Sequence, residues 1–489
     1  MNPTTLTGIH LNHDNKRPLY RQLYDEIRHR ILTNIIQPGE QIPPTRQLCQ
    51  DLALSRSTIV EAIAQLKAEG YLESWVGRGT FVATTLPERT TEVVKSNPER
   101  HLTTEKSVAQ ISRRGQKLTA APSSPAFPAG IFRSGMPDPI HFPFKVWQKI
   151  LQKHWSAPQI QGLGYGSSAG YDPLRETVAH HVRRTRGVNC LPEQVMITAG
   201  AQQALYLTAN LLLDPNDKVW VENPGYNGAQ MAFNAASAQL VPVPVDHHGV
   251  DVKAGLKLAS DAKLAYVCPS HQYPLGGTLP LSRRLQLLDW ANQAQSWVIE
   301  DDYDSEYRYS GHPLASLQSL DSHQRVIYMG TFSKVLFPSL RLGYLIVPPQ
   351  LAASFEKARE AVDRGSSLIT QMALNDFMRD GHFARHIRRS RVLYANRQQA
   401  LIEAITKLCP DLFETRPFPA GMHLLGWLPV GWDDVEAANM LYPLGFAAAP
   451  LSNYSLTPLE RGGLLFGYAA HDETVIWESI KLISETLGK

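Results

Sequence analysis

Four short apolar runs follow one another through the middle of the chain, and each is preceded or followed by a helix-like stretch. The runs are KVWVE (218–222), KLAYVCP (263–269), SWVIEDDY (296–303) and RVIYMGTF (325–332). Buried strands that alternate with helices favour a large α/β domain built around a mostly parallel sheet. We predict that residues 130–489 form this domain.

The N-terminal part of the chain, residues 1–84, has a different pattern. Within residues 18–36 an apolar residue recurs at every fourth position, at Leu19, Leu23, Ile27, Ile31 and Ile35. This spacing predicts an amphipathic helix. TRQLCQDLALS and RSTIVEAIAQLKAEG then predict a short helix and a longer one that ends at Gly70. YLESWVGRGTFVA (71–83) predicts two strands joined by a glycine-rich tip, which completes a winged helix-turn-helix.

The segment between these regions, residues 85–129, loses periodicity, carries both charge signs and ends in a stretch rich in proline, alanine and serine. Such composition is typical of an interdomain linker. The linker either acts as a tether that limits the reach of the N-terminal module or is a passive spacer. The predicted domains are therefore residues 1–84, 85–129 and 130–489.

Composition narrows the class of protein further. No apolar run approaches the ~20 residues that a membrane-spanning helix needs, and the N-terminus lacks the apolar core of a secretory signal. The cysteines have no CxxC or metal-ligand spacing. We therefore expect a cytoplasmic protein with no membrane partner, disulfide or metal site. The net charge of +3 is too small to indicate nucleic-acid binding by itself.

Three segments of the C-terminal region carry side chains suited to a ligand. WVIEDDYDSEYRY (297–309) leads an apolar strand into two aspartates and a tyrosine, at the kind of strand end where α/β sheets bind ligands. A buried carboxylate there needs a cation, such as a protonated pyridinium nitrogen. The helix start in ITAGAQQAL (197–205) suits a phosphate, and VENPGYNG (221–228) offers an aromatic face. Taken singly, each is more often an ordinary cap or packing feature.

A fourth segment, GTFSKVLFPSLRLGY (330–344), places Lys334 and Arg341 on a loop that follows a strand. In this order along one chain, the four segments resemble the fold-type I aminotransferases that use pyridoxal 5′-phosphate. The resemblance runs from about Gly135 to the C-terminus. It implies an aminotransferase-like domain with a pyridoxal phosphate site.

The resemblance also implies roles for individual residues. Lys334 matches the catalytic lysine that bonds covalently to the cofactor aldehyde, a role open to an amine that can lose its proton. Asp301 matches the carboxylate under the pyridinium nitrogen, with Asp302 as the adjacent alternative. Tyr303 matches the phenol that donates to the ring oxygen, and Tyr226 matches the ring that stacks on the pyridine.

The remaining matches concern the phosphate group and the oligomer. Side chains and backbone groups that match the phosphate-binding set are Thr331, Ser333, Arg341, Gly200, Ala201 and Gln202. Tyr165 matches a tyrosine that reaches the neighbouring subunit's phosphate, which implies a homodimer.

Two departures from the aminotransferase pattern weigh against full transaminase competence. SHQYPLGG (270–277) stands where Asn-Pro-x-Gly is usual, so the asparagine that supports the ring oxygen is not evident. In RGGLLFGYA (461–469), Arg461 lies at least one residue away from the position expected for the arginine that binds the substrate carboxylate.

The N-terminal module presents candidate DNA contacts at three places. A recognition helix presents its first turn to the major groove, and this turn contains Ser55, Arg56, Ser57 and Thr58. Arg46 would face the DNA backbone, and Arg78, with Gly79, lies at the hairpin tip. Such modules also serve protein contacts, and serines at a helix start are often only caps.

The motifs PPTRQL and SRSTIV make this module resemble the head of GntR-type regulators. Such a head joined to an aminotransferase-like body resembles the MocR/GabR subfamily. The resemblance implies a transcription regulator that binds double-stranded operator DNA, lies on the nucleoid when bound, and senses an amine or a B6 vitamer through pyridoxal phosphate. Transaminase activity would be at most residual. The alternative is an active aminotransferase with an accessory DNA-binding head.

Overall fold

The computed structural model describes residues 6, 8–9, 11–12, 17–75, 77–86, 111–120, 130–156, 164–309, 314–418 and 420–488. Over these ranges the chain forms two compact units, divided between residues 110 and 111. We call the first the head and the second the body. No helix in the described ranges is long and apolar enough to cross a membrane.

The head is a winged helix-turn-helix, as predicted. Its elements are α1 (Leu19–Leu32), β1 (Gln41–Ile42), α2 (Thr45–Asp51), α3 (Arg56–Ala68), β2 (Leu72–Trp75) and β3 (Gly79–Val82). The strands are antiparallel in the order β1-β3-β2. Leu23, Ile27 and Ile31 of the predicted stripe are buried in the head core. Ile35 was predicted on the same stripe, but α1 ends three residues earlier and Ile35 is 52% exposed.

The body is built on a mixed sheet that has eight strands among the described residues, in the order β4-β11-β10-β9-β8-β5-β6-β7. The central pairs β10-β9, β9-β8, β8-β5 and β5-β6 are parallel, whereas β11 and β7 pair antiparallel. The four apolar runs form β5, β8, β9 and β10, which confirms the predicted α/β fold. The strands are β4 (Val195–Thr198), β5 (Lys218–Asn223), β6 (Gln239–Asp246), β7 (Gly249–Val250), β8 (Leu264–Val267), β9 (Trp297–Asp302), β10 (Val326–Thr331) and β11 (Gly343–Ile346).

Helices cover this sheet, and a smaller antiparallel sheet of order β12-β13-β15-β14 follows it. Its strands are β12 (Glu414–Thr415), β13 (His423–Trp427), β14 (Ala449–Pro450) and β15 (Gly463–Gly467). The body helices are α4 (Arg113–Ala120), α5 (Phe144–Ser156), α6 (Asp172–Arg186), α7 (Ala201–Leu212), α8 (Asn227–Ala235), α9 (Val252–Ala259), α10 (Leu281–Gln293), α11 (Ala352–Val362), α12 (Leu368–Arg379), α13 (His382–Leu408), α14 (Asp434–Leu441) and α15 (Glu473–Leu487). Short 3-10 turns include Ser305–Tyr307 and Pro338–Leu340.

Helix α4 was not predicted, because it lies inside the segment assigned to the linker. Its sequence RRGQKLTA is short and polar, so no apolar periodicity marks it. The helix packs against α8, where Arg114 Nε donates to the carbonyl oxygen of Ala235 at 3.1 Å. Residues 87–110 and 121–129 of the predicted linker lie outside the described residues.

Candidate cofactor site and nucleic-acid interface

A cavity of about 200 Å³ opens in the body at the carboxyl ends of β9 and β10. Strand ends at the edge of a parallel sheet converge there, and helix and loop starts add to the walls. The cavity brings together most of the residues predicted to hold the cofactor: Ala201, Gln202, Tyr226, Asp301, Tyr303, Thr331, Ser333, Lys334 and Arg341. Segments that are distant in sequence therefore form one site.

Lys334 presents its amine to this cavity from the loop after β10. Its Nζ donates to the carbonyl oxygen of Gly135 at 3.1 Å. Burial and the charge of Arg133 lower the pKa of Lys334, against the opposing effect of Asp301 and Asp304. A lowered pKa increases the fraction of neutral amine, which is the nucleophilic form. Gly135 has a φ of +74°, and a Cβ there would overlap Lys334 Nζ, so only glycine leaves room for the amine.

The two adjacent aspartates of β9 face opposite sides of the strand. Asp301 Oδ2 accepts a hydrogen bond from the Tyr266 hydroxyl at 2.6 Å, and Asp301 lines the cavity. Asp302 Oδ2 instead accepts from Arg186 Nε at 2.6 Å and from the Tyr328 hydroxyl. The alternation of side chains along a strand therefore places Asp301, and not Asp302, where a ligand ring would lie.

Two buried oxygens at the cavity have no hydrogen-bond partner among the described residues: Asp301 Oδ1 and Ser333 Oγ. Burial raises the pKa of Asp301 to about 7, with its Tyr266 hydrogen bond opposing the shift. Among the described residues this buried carboxylate has no cation within ion-pair distance, and a protonated pyridine nitrogen would supply one. The donor set thus fits pyridoxal phosphate at its ring nitrogen.

The part of the cavity next to the start of α7 suits an anion. Helix α7 begins there after Gly200, which has a φ of +104°, and no side chain caps its first N–H groups. The Arg341 guanidinium lies close to Gly200, since a Cβ at Gly200 would be 3.6 Å from Arg341 Nη1. Free helix N–H groups, a guanidinium and the unpartnered Ser333 hydroxyl together form a phosphate-binding arrangement.

Tyr273 stands where aminotransferases usually have the asparagine that supports the ring oxygen. Tyr273 lines the cavity, and its hydroxyl contacts that of Tyr454 at 3.1 Å. Sequence reasoning missed the neighbouring His271, whose Nδ1 lies 2.8 Å from Asp304 Oδ2 and 3.0 Å from the Tyr303 hydroxyl. When Nδ1–H donates to Asp304, the phenolic proton of Tyr303 is left for a ligand in the cavity.

The predicted DNA contacts of the head lie at the starts of two helices, α2 and α3, and at one hairpin tip. Ser55 caps α3, where its Oγ accepts from Thr58 N at 3.2 Å and lies 2.9 Å from Ser57 Oγ. These hydroxyls therefore serve the helix start at least as much as a ligand. Arg46, Arg56 and Arg78 are exposed, and none forms an ion pair within the ranges that the structure covers. Gly79 has a φ of +112° and a Cβ there would come 2.5 Å from Gln41 Nε2, so this tip position requires glycine.

Comparison with known proteins supports the assignments of both the head and the body. Residues 19–82 match the model for bacterial regulatory proteins of the gntR family, and residues 138–429 match that for aminotransferase class I and II. A probable rhizopine catabolism regulatory protein from Rhizobium meliloti, MocR, is 37% identical over 96% of this chain and 94% of its own length. The chain belongs to the MocR subfamily of GntR-type transcription regulators.

Other relatives support the same architecture. The pyridoxine biosynthesis regulator PdxR from Corynebacterium glutamicum is 32% identical over 98% of both chains. The solved kynurenine aminotransferase of Pyrococcus horikoshii covers 80% of this chain and 98% of its own, with 29% identity and a TM-score of 0.68. This MocR-type chain is therefore a DNA-binding transcription regulator with an aminotransferase-like body.

Two further residues lie away from the cavity in this MocR-type body. Tyr165 is 87% exposed, and the Arg364 guanidinium lies 5.4 Å from the centre of its ring. Arg461 is held by Glu414 Oε2 at 2.6 Å and by the carbonyl oxygen of Leu428. Arg461 is thus engaged elsewhere, and it does not line the cavity in which a substrate carboxylate would bind.

Proposed function

We propose that this regulator holds pyridoxal 5′-phosphate in the body cavity and uses it to sense a small primary amine or a B6 vitamer. One observation carries the proposal: the Lys334 amine and the unpartnered Oδ1 of Asp301 belong to the same cavity. When bound, the cofactor would supply an aldehyde carbon that exchanges one primary amine for another.

The residues of the cavity divide by the part of the cofactor they would hold. Asp301 would pair with the ring nitrogen, Tyr303 would donate to the ring oxygen, and Tyr226 would cover one ring face. The phosphate would lie next to the start of α7, with Gly200, Ala201, Gln202, Thr331, Ser333 and Arg341. His271 would orient Tyr303 through the contact at Nδ1.

We further propose the domain limits 1–84, 85–129 and 130–489, and a homodimer. Tyr165 supports the dimer because a large aromatic side chain that is 87% exposed beside Arg364 suits contact with a second subunit. A dimer carries two heads, and two tethered heads bind paired half-sites more tightly than one head binds a single site.

A second function, that of an active aminotransferase, draws support from the similar solved aminotransferases. The engagement of Arg461 with Glu414 and the tyrosine at position 273 favour sensing instead. Repeated turnover of an amino donor and a keto acid by the purified protein would favour the enzyme. A single exchange with no turnover would favour the sensor.

The amine response provides the direct test of sensing. Primary amines and B6 vitamers are screened for one that changes both the cofactor absorption and the binding of DNA upstream of the protein's own gene. With a coupling of about 1–3 kcal/mol, DNA affinity should change roughly 5–150-fold. Lys334→Ala should still fold and bind that DNA, because the head has its own core, but it should lose the response. An unchanged response in affinity and amplitude would exclude amine exchange at Lys334 as the signal.

The head contacts lead to a separate prediction. Arg56→Ala and Arg78→Ala should each weaken DNA binding and lower its log–log salt dependence by about one unit, as expected for the loss of one phosphate contact. Lys67→Ala is the matched control, because Lys67 is exposed at the other end of α3. Fluorescence anisotropy with operator DNA over a salt series measures both quantities. Normal binding by both arginine variants would indicate that the head contacts protein instead.

A further inference from the structure

The body carries a second and larger concavity, of about 1040 Å³, which we call the basic groove. Its walls are α6 on one side and the first turns of α13 on the other, with the end of α12 and the turn after β9 between them. Residues of this groove include His180, Arg184, Arg308, Arg379, Arg388 and Arg391. None of its residues lines the cofactor cavity.

The charge of the basic groove is not neutralised from within. Among the described residues, no carboxylate lies within 4.0 Å of the guanidinium nitrogens of Arg184, Arg308, Arg379, Arg388 or Arg391. Glu176 and Glu306 line the groove, and Glu306 Oε1 lies 3.8 Å from His181 Nε2. The buried Arg186 is already paired with Asp302. The groove therefore has an excess of positive charge.

One of these arginines also has an unsatisfied donor. Arg308 Nε is buried without a hydrogen-bond partner in the part of the chain that the structure describes. A buried guanidinium nitrogen without an acceptor is costly, and an external oxyanion would offset this cost through the charge of the same guanidinium, because Arg308 lines the groove. Since the whole chain has a net charge of only +3, the excess in the groove reflects local placement rather than a generally basic surface.

We propose that the basic groove binds the phosphate backbone of duplex DNA outside the segment read by the helix-turn-helix. Arginine matches phosphate geometry, and the head already brings DNA to this molecule. The chain's own linker is a poor occupant, because residues 85–129 contain more basic than acidic residues. The acidic ones are Glu88, Glu92, Glu99 and Glu105, against Arg89, Lys95, Arg100, Lys106, Arg113, Arg114 and Lys117.

The groove is also joined to the cofactor cavity through the residue after Lys334. The carbonyl oxygen of Val335 accepts from the Tyr307 hydroxyl at 2.9 Å and from His386 Nε2 at 3.0 Å. Tyr307 belongs to the turn at the base of the groove, and His386 lies on α13, two residues before Arg388. Tyr307 lies between the groove residues Glu306 and Arg308, and His386 precedes the groove residue Ile387, so two segments that border the groove are hydrogen-bonded to the residue after Lys334.

A matched pair of double variants tests the proposal. Arg184→Gln with Arg388→Gln removes one charge from each wall of the groove. Arg183→Gln with Arg389→Gln removes two exposed charges from the same helices at positions that do not line it. Binding of the full-length protein to a mixed-sequence duplex longer than the operator is measured over a salt series. The first double should bind more weakly, with a log–log salt slope smaller by about two units, whereas the second should match the native protein.

Other outcomes overturn the proposal. An equal loss of DNA affinity in both double variants would mean that the net charge of the protein, and not the groove, determines the binding. Native DNA affinity in both double variants would show that the groove does not bind DNA. If the variant with Arg184→Gln and Arg388→Gln kept native DNA binding but was no longer stabilised against heat by inorganic phosphate or pyrophosphate, the groove would bind a small phosphorylated ligand instead of DNA. Circular dichroism and the cofactor spectrum check folding, and the two single variants replace the double if it does not fold.

Discussion

Replacing Lys334 by alanine should abolish the covalent attachment of pyridoxal phosphate to this protein. Native protein loaded with the cofactor should be yellow, and borohydride should remove the visible band and fix the cofactor to Lys334. The variant should show no fixed cofactor, because the cavity's described lining contains no second lysine. Mass spectrometry of proteolytic peptides measures the attachment directly.

A control separates this loss from a general effect of removing a lysine. Lys357 is exposed on α11 and does not line the cavity, so Lys357→Ala should retain native attachment. A band of native strength fixed to protein in Lys334→Ala would refute the assignment of the lysine. It would leave DNA binding by the head untouched, since that rests on a different core.

The adjacent aspartates should give opposite results when each is changed to asparagine. Asp301→Asn should weaken cofactor binding roughly 10–150-fold, because a charge-assisted hydrogen bond contributes about 1.5–3 kcal/mol. Asp302→Asn should instead lower the free energy of unfolding by about 3–5 kcal/mol, since it leaves Arg186 buried without its partner. Cofactor titration and chemical denaturation measure the two effects. Weaker cofactor binding in Asp302→Asn and a loss of stability in Asp301→Asn would contradict the assignment of Asp301 to the cavity.

The pH dependence of the cofactor-free protein distinguishes Asp301 further. Its pKa is raised to about 7 in the folded protein, whereas an unfolded aspartate titrates near 3.8. The folded state therefore binds the proton more tightly, and the contribution of this group to stability is present below pH 3.8 and is lost as the pH rises through about 7. Asp301→Asn should remove that component of the pH dependence, measured as unfolding free energy from pH 5 to pH 8.

The strands could be predicted because each depends on a local pattern, whereas the roles of the cofactor residues were inferred from the resemblance to aminotransferases. Apolar runs mark β5, β8, β9 and β10, and their carboxyl ends bring Asp301 and Lys334 together. The prediction that Ile35 belongs to the buried stripe of α1 was wrong, because periodicity does not fix the residue at which a helix ends. Helix α4 was missed because it gains its stability from packing on α8 rather than from its own sequence.

The parts that could not be predicted depend on contacts between distant segments. Nothing within SHQYPLGG indicates that His271 lies against Asp304 and Tyr303, which follow it by about thirty residues. The basic groove is similar, because the arginines of α6 and α13 are about two hundred residues apart and each run resembles an ordinary solvated helix face. Only the folded body shows that the two faces meet.

The hydrogen bonds at Val335 have a consequence for how substitutions in this chain would act. The acceptor is a main-chain carbonyl, so no substitution at position 335 can delete it. Only a change at the donors, Tyr307 and His386, can remove these hydrogen bonds. Tyr307→Phe would remove one of the two hydrogen bonds and leave the other, so the two donors can be separated one at a time.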